Sequence, residues 1–154
     1  MLGQGKNIWL YVAESAWPEF KTILQEQIAQ LKVGSVEDYE NFITPVIHKQ
    51  AFDRLNKASK DEGYFVDPTV YRTSNPRHDI MSRELFGPIL AVYVYPDSEW
   101  KQTLKALDTT LRYALTGSIY AKDPYALREA MTELKHAAGM LYLNTKCTGS
   151  VVAQ

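Results

Sequence analysis

One cysteine, Cys147, among 154 residues excludes an internal disulfide and any cysteine-based metal cluster, and is compatible with a reducing compartment. Three histidines, His48, His78 and His136, are scattered without a partnered acid or ligand spacing, so they read as surface or internally satisfied side chains and not as a metal site. No run of 18 or more apolar residues occurs, which excludes a transmembrane helix from these residues. Charge of either sign is not in excess. Lys plus Arg total 17 against 18 Asp plus Glu, a net charge of −1, so there is no electrostatic footprint for nucleic acid or an anionic membrane. The first residues, Met1 to Asn7, have neither an apolar secretory core nor an Arg-rich amphipathic presequence, and no targeting segment is expected from them. A Gly-rich strand-to-helix turn able to cradle a pyrophosphate is also missing.

What is present is a normal globular balance, 45% hydrophobic and 23% charged, at a length that suits one domain. Its centre of gravity is the stretch from Glu84 to Tyr95. Ile89 to Tyr95 carries no charge and reads as a strand covered on both faces. Gly87-Pro88 suits its entry, since proline offers no N–H to a ladder. Before it, Ile8 to Ala13 is strand-like, and Trp17, Phe20, Leu24, Ile28 and Leu31 form one helical stripe, expected in the core, with Pro18 in the first turn. Thr44-Pro45 is expected to start a second helix through Ile47, Ala51, Leu55 and Ala58. Tyr64 to Tyr71 is strand-like, with Pro68 arguing for an edge, and Asp79 is expected to cap a short helical turn.

After the central strand, Asp97-Ser98 is expected to cap a helix with Trp100, Leu104, Leu107 and Leu111 on one face. Leu115 to Ala121 reads as a strand. Asp123-Pro124 then starts a helix with Leu127, Met131, Leu134 and Ala138 as its apolar face, and Gly139 leads to a last strand, Met140 to Asn144. Short strands separated by helices predict an α/β fold with a mostly parallel sheet and crossover helices.

Glu84-Leu85-Phe86-Gly87-Pro88 ahead of a buried strand resembles the signature of the aldehyde dehydrogenase superfamily. Tyr64 to Thr69, Ile80 to Pro88, Ala91 to Asp97, Leu115 to Ile119, and Asn144 with Thr148-Gly149-Ser150 follow in that family's order. Val92-Tyr93-Val94-Tyr95-Pro96-Asp97 and Lys146 to Ser150 resemble the branch that oxidises L-glutamate gamma-semialdehyde to glutamate with NAD, the delta-1-pyrroline-5-carboxylate dehydrogenases of proline breakdown. The resemblance implies that residues 1–154 are one partial catalytic domain without the nucleotide-binding domain, and that the compartment is the mitochondrial matrix, the cytoplasm remaining open because no targeting segment is seen.

The same resemblance implies that Glu84 holds the nicotinamide ribose and Phe86 packs near the nicotinamide, making NAD the cofactor. By itself, Glu84 reads equally as a solvated helix-end acid and Phe86 as a core aromatic. Gly149 and Ser150 correspond to an anchor loop for the substrate carboxylate, a role that successive backbone donors in a glycine-containing turn suit. Without the resemblance they are a plain surface turn.

Aldehyde oxidation by this family needs a thiolate nucleophile, expected just after a Gly-Gln pair. Here Gly3-Gln4 is followed by Gly5-Lys6-Asn7, and the nucleophile is absent from that place. Cys147 follows Lys146 in what corresponds to the substrate loop, and is expected to be non-catalytic. No catalytic residue is assigned. Three readings stay open: a semialdehyde dehydrogenase by descent; a non-catalytic binding module or pseudo-subunit associating with a full-length homologue or with itself; and a remnant with no partner. The small-molecule partner implied is glutamate semialdehyde or glutamate.

Overall fold

A computed structural model describes residues 8–46, 49–55, 64–83, 85–110 and 114–147. Two compact units divide the chain, Met1–Asp97 and Ser98–Gln154. All three strand ladders described are parallel, in a three-stranded sheet and a two-stranded one. The α/β expectation with parallel pairing and helical crossovers therefore holds.

In the first unit β1 (Ile8–Ala13), α1 (Trp17–Ala29), α2 (Lys49–Leu55), β2 (Thr69–Thr73) and β3 (Ile89–Tyr95) follow in chain order. β3 lies between the other two strands, in the order β1-β3-β2. Its bounds are those of the charge-free run, because each residue must satisfy its backbone on both sides while one face is buried and the other, at Leu90 and Val94, is only partly open. Ala91 and Val92 are 0% exposed, and Ile89, Tyr93 and Tyr95 are also buried. Pro68 stops short of β2, which is an edge strand with Val70 and Arg72 turned outward.

The core of this unit is Leu55, Val66, Leu85 and Ile89, with Val46, Phe52, Tyr71 and Ile80 packed against it. Each fully buried side chain of this size contributes about 1.5–3 kcal/mol. The α1 stripe departs from expectation. Pro18 does occupy its first turn, but Trp17, Phe20, Leu24, Ile28 and Leu31 are only half-buried, and no residue of α1 is fully buried. Trp17 instead stacks on Phe20 and lies under the Arg72 guanidinium, 5.4 Å from the ring centroid, a contact an exposed cation and a half-buried indole both favour.

Thr44 and Pro45 do not begin a helix. Ile43 bridges to Val33 and the Val46 N–H donates to the Tyr64 carbonyl, so this stretch runs extended, and α2 is described from Lys49. Ile47 and Ala58 lie outside the described residues, as does Leu111 further on.

The end of the sheet is closed by a clasp. The Ser15 N–H donates to the Asp97 carboxylate at 3.0 Å, its hydroxyl donates to the other carboxylate oxygen, and the Glu14 N–H donates to the Tyr95 carbonyl. Asp97 thus reaches across 82 residues to Ser15 while standing where the next helical segment begins, in a 3₁₀ turn, Asp97–Glu99, that leads into Trp100. The two Ser15 hydrogen bonds hold the Asp97 carboxyl below its usual value, while burial, then the Asp97 charge, raises the Tyr95 phenol.

The second unit contains α3 (Trp100–Thr110), β4 (Thr116–Ile119), α4 (Pro124–Glu133) and β5 (Met140–Leu143). Leu104, Ala130 and Leu134 form its core, with Trp100, Leu107, Ile119, Ala137 and Leu141 against them. Trp100 donates its indole N–H to Glu129 at 2.8 Å, tying α3 to α4. Asp123 caps α4 by accepting from the Tyr125 N–H, with Pro124 in the first turn, as expected. The buried face of α4 departs from expectation at one position, with Leu134 buried and Leu127 and Ala138 half-buried as expected. Ala130 is buried and Met131 is 43% exposed, since a methyl group lets the helix approach its neighbours where a longer side chain would hold it off.

Two outcomes test this packing. A Cβ at Gly87 would stand 2.6 and 2.7 Å from the two methyl carbons of Leu55. Gly87→Ala is thus expected to destabilise by about 1–3 kcal/mol, and Leu55→Ala by about 2–5 kcal/mol. In urea unfolding the double variant is expected to lose less than the sum, because each change makes room for the other; strict additivity would contradict the packing. For the clasp, a carboxyl whose folded pKa is depressed contributes stability above its unfolded value, ordinarily 3.8, that is lost as pH falls through the folded value. Asp97→Asn is expected to flatten this acid limb of the stability curve and, because the Asp97 charge is the lesser of the two causes that raise Tyr95, to reduce but not abolish the alkaline limb on which Tyr95 titrates; an unchanged acid limb in urea unfolding at low pH would contradict the clasp.

Candidate functional site

The corner that delivers the chain into β3 is built from buried residues on either side of an exposed one. A short 3₁₀ turn, Asp79–Met81, opens it. His78, not Asp79, is its cap: the imidazole Nδ1 accepts from the Ile80 N–H at 3.2 Å. Asp79 instead reaches Arg83 at 3.7 Å, and its carbonyl accepts from the Arg83 N–H. Met81 is 0% exposed, and Leu85 and Gly87 are buried as well.

Between Leu85 and Gly87, Phe86 has φ 53° and is 46% exposed. A bulky residue in the left-handed region is uncommon and costs of order 1 kcal/mol or more. Phe86 is therefore not the core aromatic that the residue pattern alone allowed. Leu85 points into the core and Gly87 is closed against Leu55, and the left-handed conformation between them leaves the ring outward. Glu84, Gly149 and Ser150 lie outside the described residues.

A second local arrangement leads toward Gly149 and Ser150. Asn144, at φ 50°, follows β5. Its amide pairs with the Ala121 backbone twice, Nδ2 donating to the carbonyl at 3.0 Å and Oδ1 accepting from the N–H at 2.9 Å, and its own N–H donates to the Ile119 carbonyl. The Ser118 hydroxyl donates to the Thr145 carbonyl at 3.1 Å. The root of the loop is thereby pinned to the end of β4. Cys147, beyond it, is exposed.

Among the described residues no group of three His, Cys, Asp or Glu stands together as a metal site, and no helix is long and apolar enough to cross a membrane.

The sequence pattern of the aldehyde dehydrogenase family matches residues 54–154. The chain belongs to the aldehyde dehydrogenase family. Among curated relatives of this dehydrogenase-family chain, the mitochondrial delta-1-pyrroline-5-carboxylate dehydrogenase of Bos taurus is 43% identical over 164 residues, covering 94% of this chain and 29% of that protein. A probable delta-1-pyrroline-5-carboxylate dehydrogenase of Schizosaccharomyces pombe is 42% identical over 94% of this chain and 30% of its own length. The chain thus spans about three-tenths of the relatives it matches. A crystal structure of the delta-pyrroline-5-carboxylate dehydrogenase of Mycobacterium tuberculosis, bound with NAD and cobalamin, superposes with a TM-score of 0.84 at 34% identity, covering 96% of this chain and 30% of that one.

Asn144 was readable in sequence only as one residue of the family's order; its double bond to Ala121 has no sequence signal beyond Asn's tolerance of the left-handed region. Asn144→Ala is expected to cost about 2 kcal/mol, from two lost hydrogen bonds and a strained φ, and Asn144→Gly to cost less because the φ is then free. Thermal unfolding of the two variants compares them; equal losses would mean that the backbone conformation is not part of the clasp's contribution.

Proposed function

We propose that the protein is a delta-1-pyrroline-5-carboxylate dehydrogenase by descent, contributing cofactor and substrate contacts to the NAD-dependent oxidation of L-glutamate gamma-semialdehyde to glutamate. The two compact units are, in this reading, one partial catalytic domain. The observation that carries it is Phe86: an aromatic ring held outward at a strained corner, flanked by buried neighbours, at the entry of the central strand. An energetic cost that core packing does not recover at the ring itself is usual where a side chain meets a ligand. Four curated relatives, from two mammals, a fish and a fission yeast, bear the name of this dehydrogenase, the yeast one as probable.

A flat, half-exposed ring fits the face of a nicotinamide, and Phe86 is the described residue that would meet it. Glu84, two positions earlier, would accept from the ribose hydroxyls. When bound, NAD supplies the hydride acceptor. Gly149 and Ser150 would hold the substrate carboxylate through backbone N–H and hydroxyl donors, on a loop whose root Asn144 and Ser118 fix. The role of these residues is to orient; attack on an aldehyde carbon needs a thiolate. The one cysteine of the 154 residues, Cys147, lies exposed in the stretch assigned to carboxylate binding. Mitochondrial residence belongs to the same proposal, supported by the name of the bovine relative.

A ribose hydrogen bond and a stacked ring contribute on the order of 1 to 3 kcal/mol each, short of the ~8 kcal/mol that micromolar affinity requires. NAD is therefore expected to bind the purified chain only in the millimolar range, shifting the amide signals of Phe86 and Ile89 in a heteronuclear NMR titration. Phe86→Ala is expected to abolish those shifts. No NADH is expected from glutamate semialdehyde, with or without Cys147→Ser. Shifts confined to other residues would sink the cofactor assignment, and turnover lost only in Cys147→Ser would make Cys147 the nucleophile.

A further inference from the structure

The Phe86 corner has an anchor 71 residues away in sequence. Trp9, in β1, donates its indole N–H to the Ile80 carbonyl at 3.0 Å in a half-buried setting. In sequence this residue is one of the strand-like run Ile8 to Ala13. We propose that Trp9 is a positioning residue for the Phe86 corner, and through it for the cofactor contact, a proposal that rests on the NAD reading above for its functional consequence but not for its structural one.

The connection can be followed bond by bond. Trp9 is paired in register with Ala91, at the centre of β3 and 0% exposed. Its ring is thus carried by the most completely buried part of the sheet, and its N–H reaches out of the strand to the 3₁₀ turn. The turn's own backbone bonds are local ones, Met81 N–H to the His78 carbonyl at 2.8 Å and Ser82 N–H and Arg83 N–H to the Asp79 carbonyl at 3.1 and 2.9 Å. Its side chains hold it by apolar contact, Met81 fully buried and Ile80 packed on the cluster of Leu55, Val66, Leu85 and Ile89. Trp9 adds a directed bond from the sheet, on the Ile80 carbonyl.

An apolar contact is non-directional, whereas a donor aimed at a carbonyl sets the orientation of the peptide. Trp9 therefore determines how the turn faces. Five residues on, the chain must place Leu85 inward, Phe86 outward at φ 53° and Gly87 against Leu55. A turn free to rotate would let position 86 relax to an ordinary backbone conformation, and the ring would leave its outward place.

The test uses the whole chain. Trp9→Phe keeps an aromatic ring and removes the donor. It is expected to move the backbone amide signals of Ile80 to Gly87 and to speed hydrogen exchange of the Met81 and Arg83 amides about fivefold, the effect of one hydrogen bond, while the signals of Val92 and Val94 stay. Unmoved signals from Ile80 to Gly87 in a folded Trp9→Phe would overturn the proposal. Should that variant not fold, the reciprocal measurement decides. Phe86→Gly, which frees the strained φ, is expected to change the exchange rate of the Trp9 indole N–H and not those of Trp17 and Trp100; an unchanged Trp9 rate would overturn it. NAD titration of the unsubstituted chain is a separate arm. If NAD leaves Phe86 unshifted there, the cofactor reading fails while the amide and indole measurements still judge Trp9. If NAD does shift Phe86, Trp9→Phe is expected to weaken that binding about fivefold.

Discussion

Burial of β3 on both faces and both edges is the constraint on which the first unit depends. A strand with parallel neighbours on each side has its backbone donors and acceptors taken up by β1 and β2, and a charge anywhere between Ile89 and Tyr95 would be stranded without water. That requirement explains the composition of the run, and its limits. Proline can precede the strand because only its carbonyl is used there, accepting from the Thr69 N–H at 3.0 Å, and Asp97 can follow it because the sheet has ended and Ser15 is there to donate. Each end is then a place where the chain turns sharply from full burial to solvent over two residues.

Such abrupt transitions are where side chains acquire unusual conformations. At the entry end, Leu85 and Gly87 both have to be inside, and the residue between them is pushed outward with φ reversed. At the exit end, a carboxylate is held by a serine's N–H and hydroxyl and titrates lower than usual as a result. The second unit repeats the logic on a smaller scale. β5 ends, and Asn144 takes a left-handed conformation that lets its amide act as one more pair of strand hydrogen bonds to Ala121. In each case the regular element is the rigid part, and the chemistry-bearing residue stands on the first irregular position beyond it.

The parts legible in sequence were those governed by local physics. The charge-free run, the prolines at helix starts and the Asp123 cap depend on neighbours within a few positions, and β3, α1 and α4 lie where those signals put them. The parts not legible were long-range. That Asp97, at the start of the next helical segment, would also clasp Ser15 depended on a partner 82 residues away. Thr44-Pro45 carries a helix-start signal, yet the bridge from Val33 to Ile43 and the bond from Val46 to Tyr64 keep that stretch extended. The burial of Ala130 in place of Met131 on the face of α4 turned on a close-packed neighbour. Of the four candidate site residues, Phe86 is the described one, and its reversed φ has only the adjoining Gly87 as a sequence hint.

The positioning of Phe86 also shows how an outward-facing residue is held by its neighbours more than by its own contacts. Its ring is half exposed, so packing around it contributes little to stability; its backbone is strained, so its conformation opposes the fold slightly. Two neighbours counter this, Leu85 through burial and Gly87 through its fit against Leu55. Burial fixes which side of the chain is inside, but not the rotation of the corner as a whole. In the proposed arrangement a directed bond, from the Trp9 indole to the Ile80 carbonyl, sets that rotation where the apolar contacts of Met81 and Ile80 do not. The hydrophobic core and the hydrogen bond thus act on different variables, one on depth and the other on orientation.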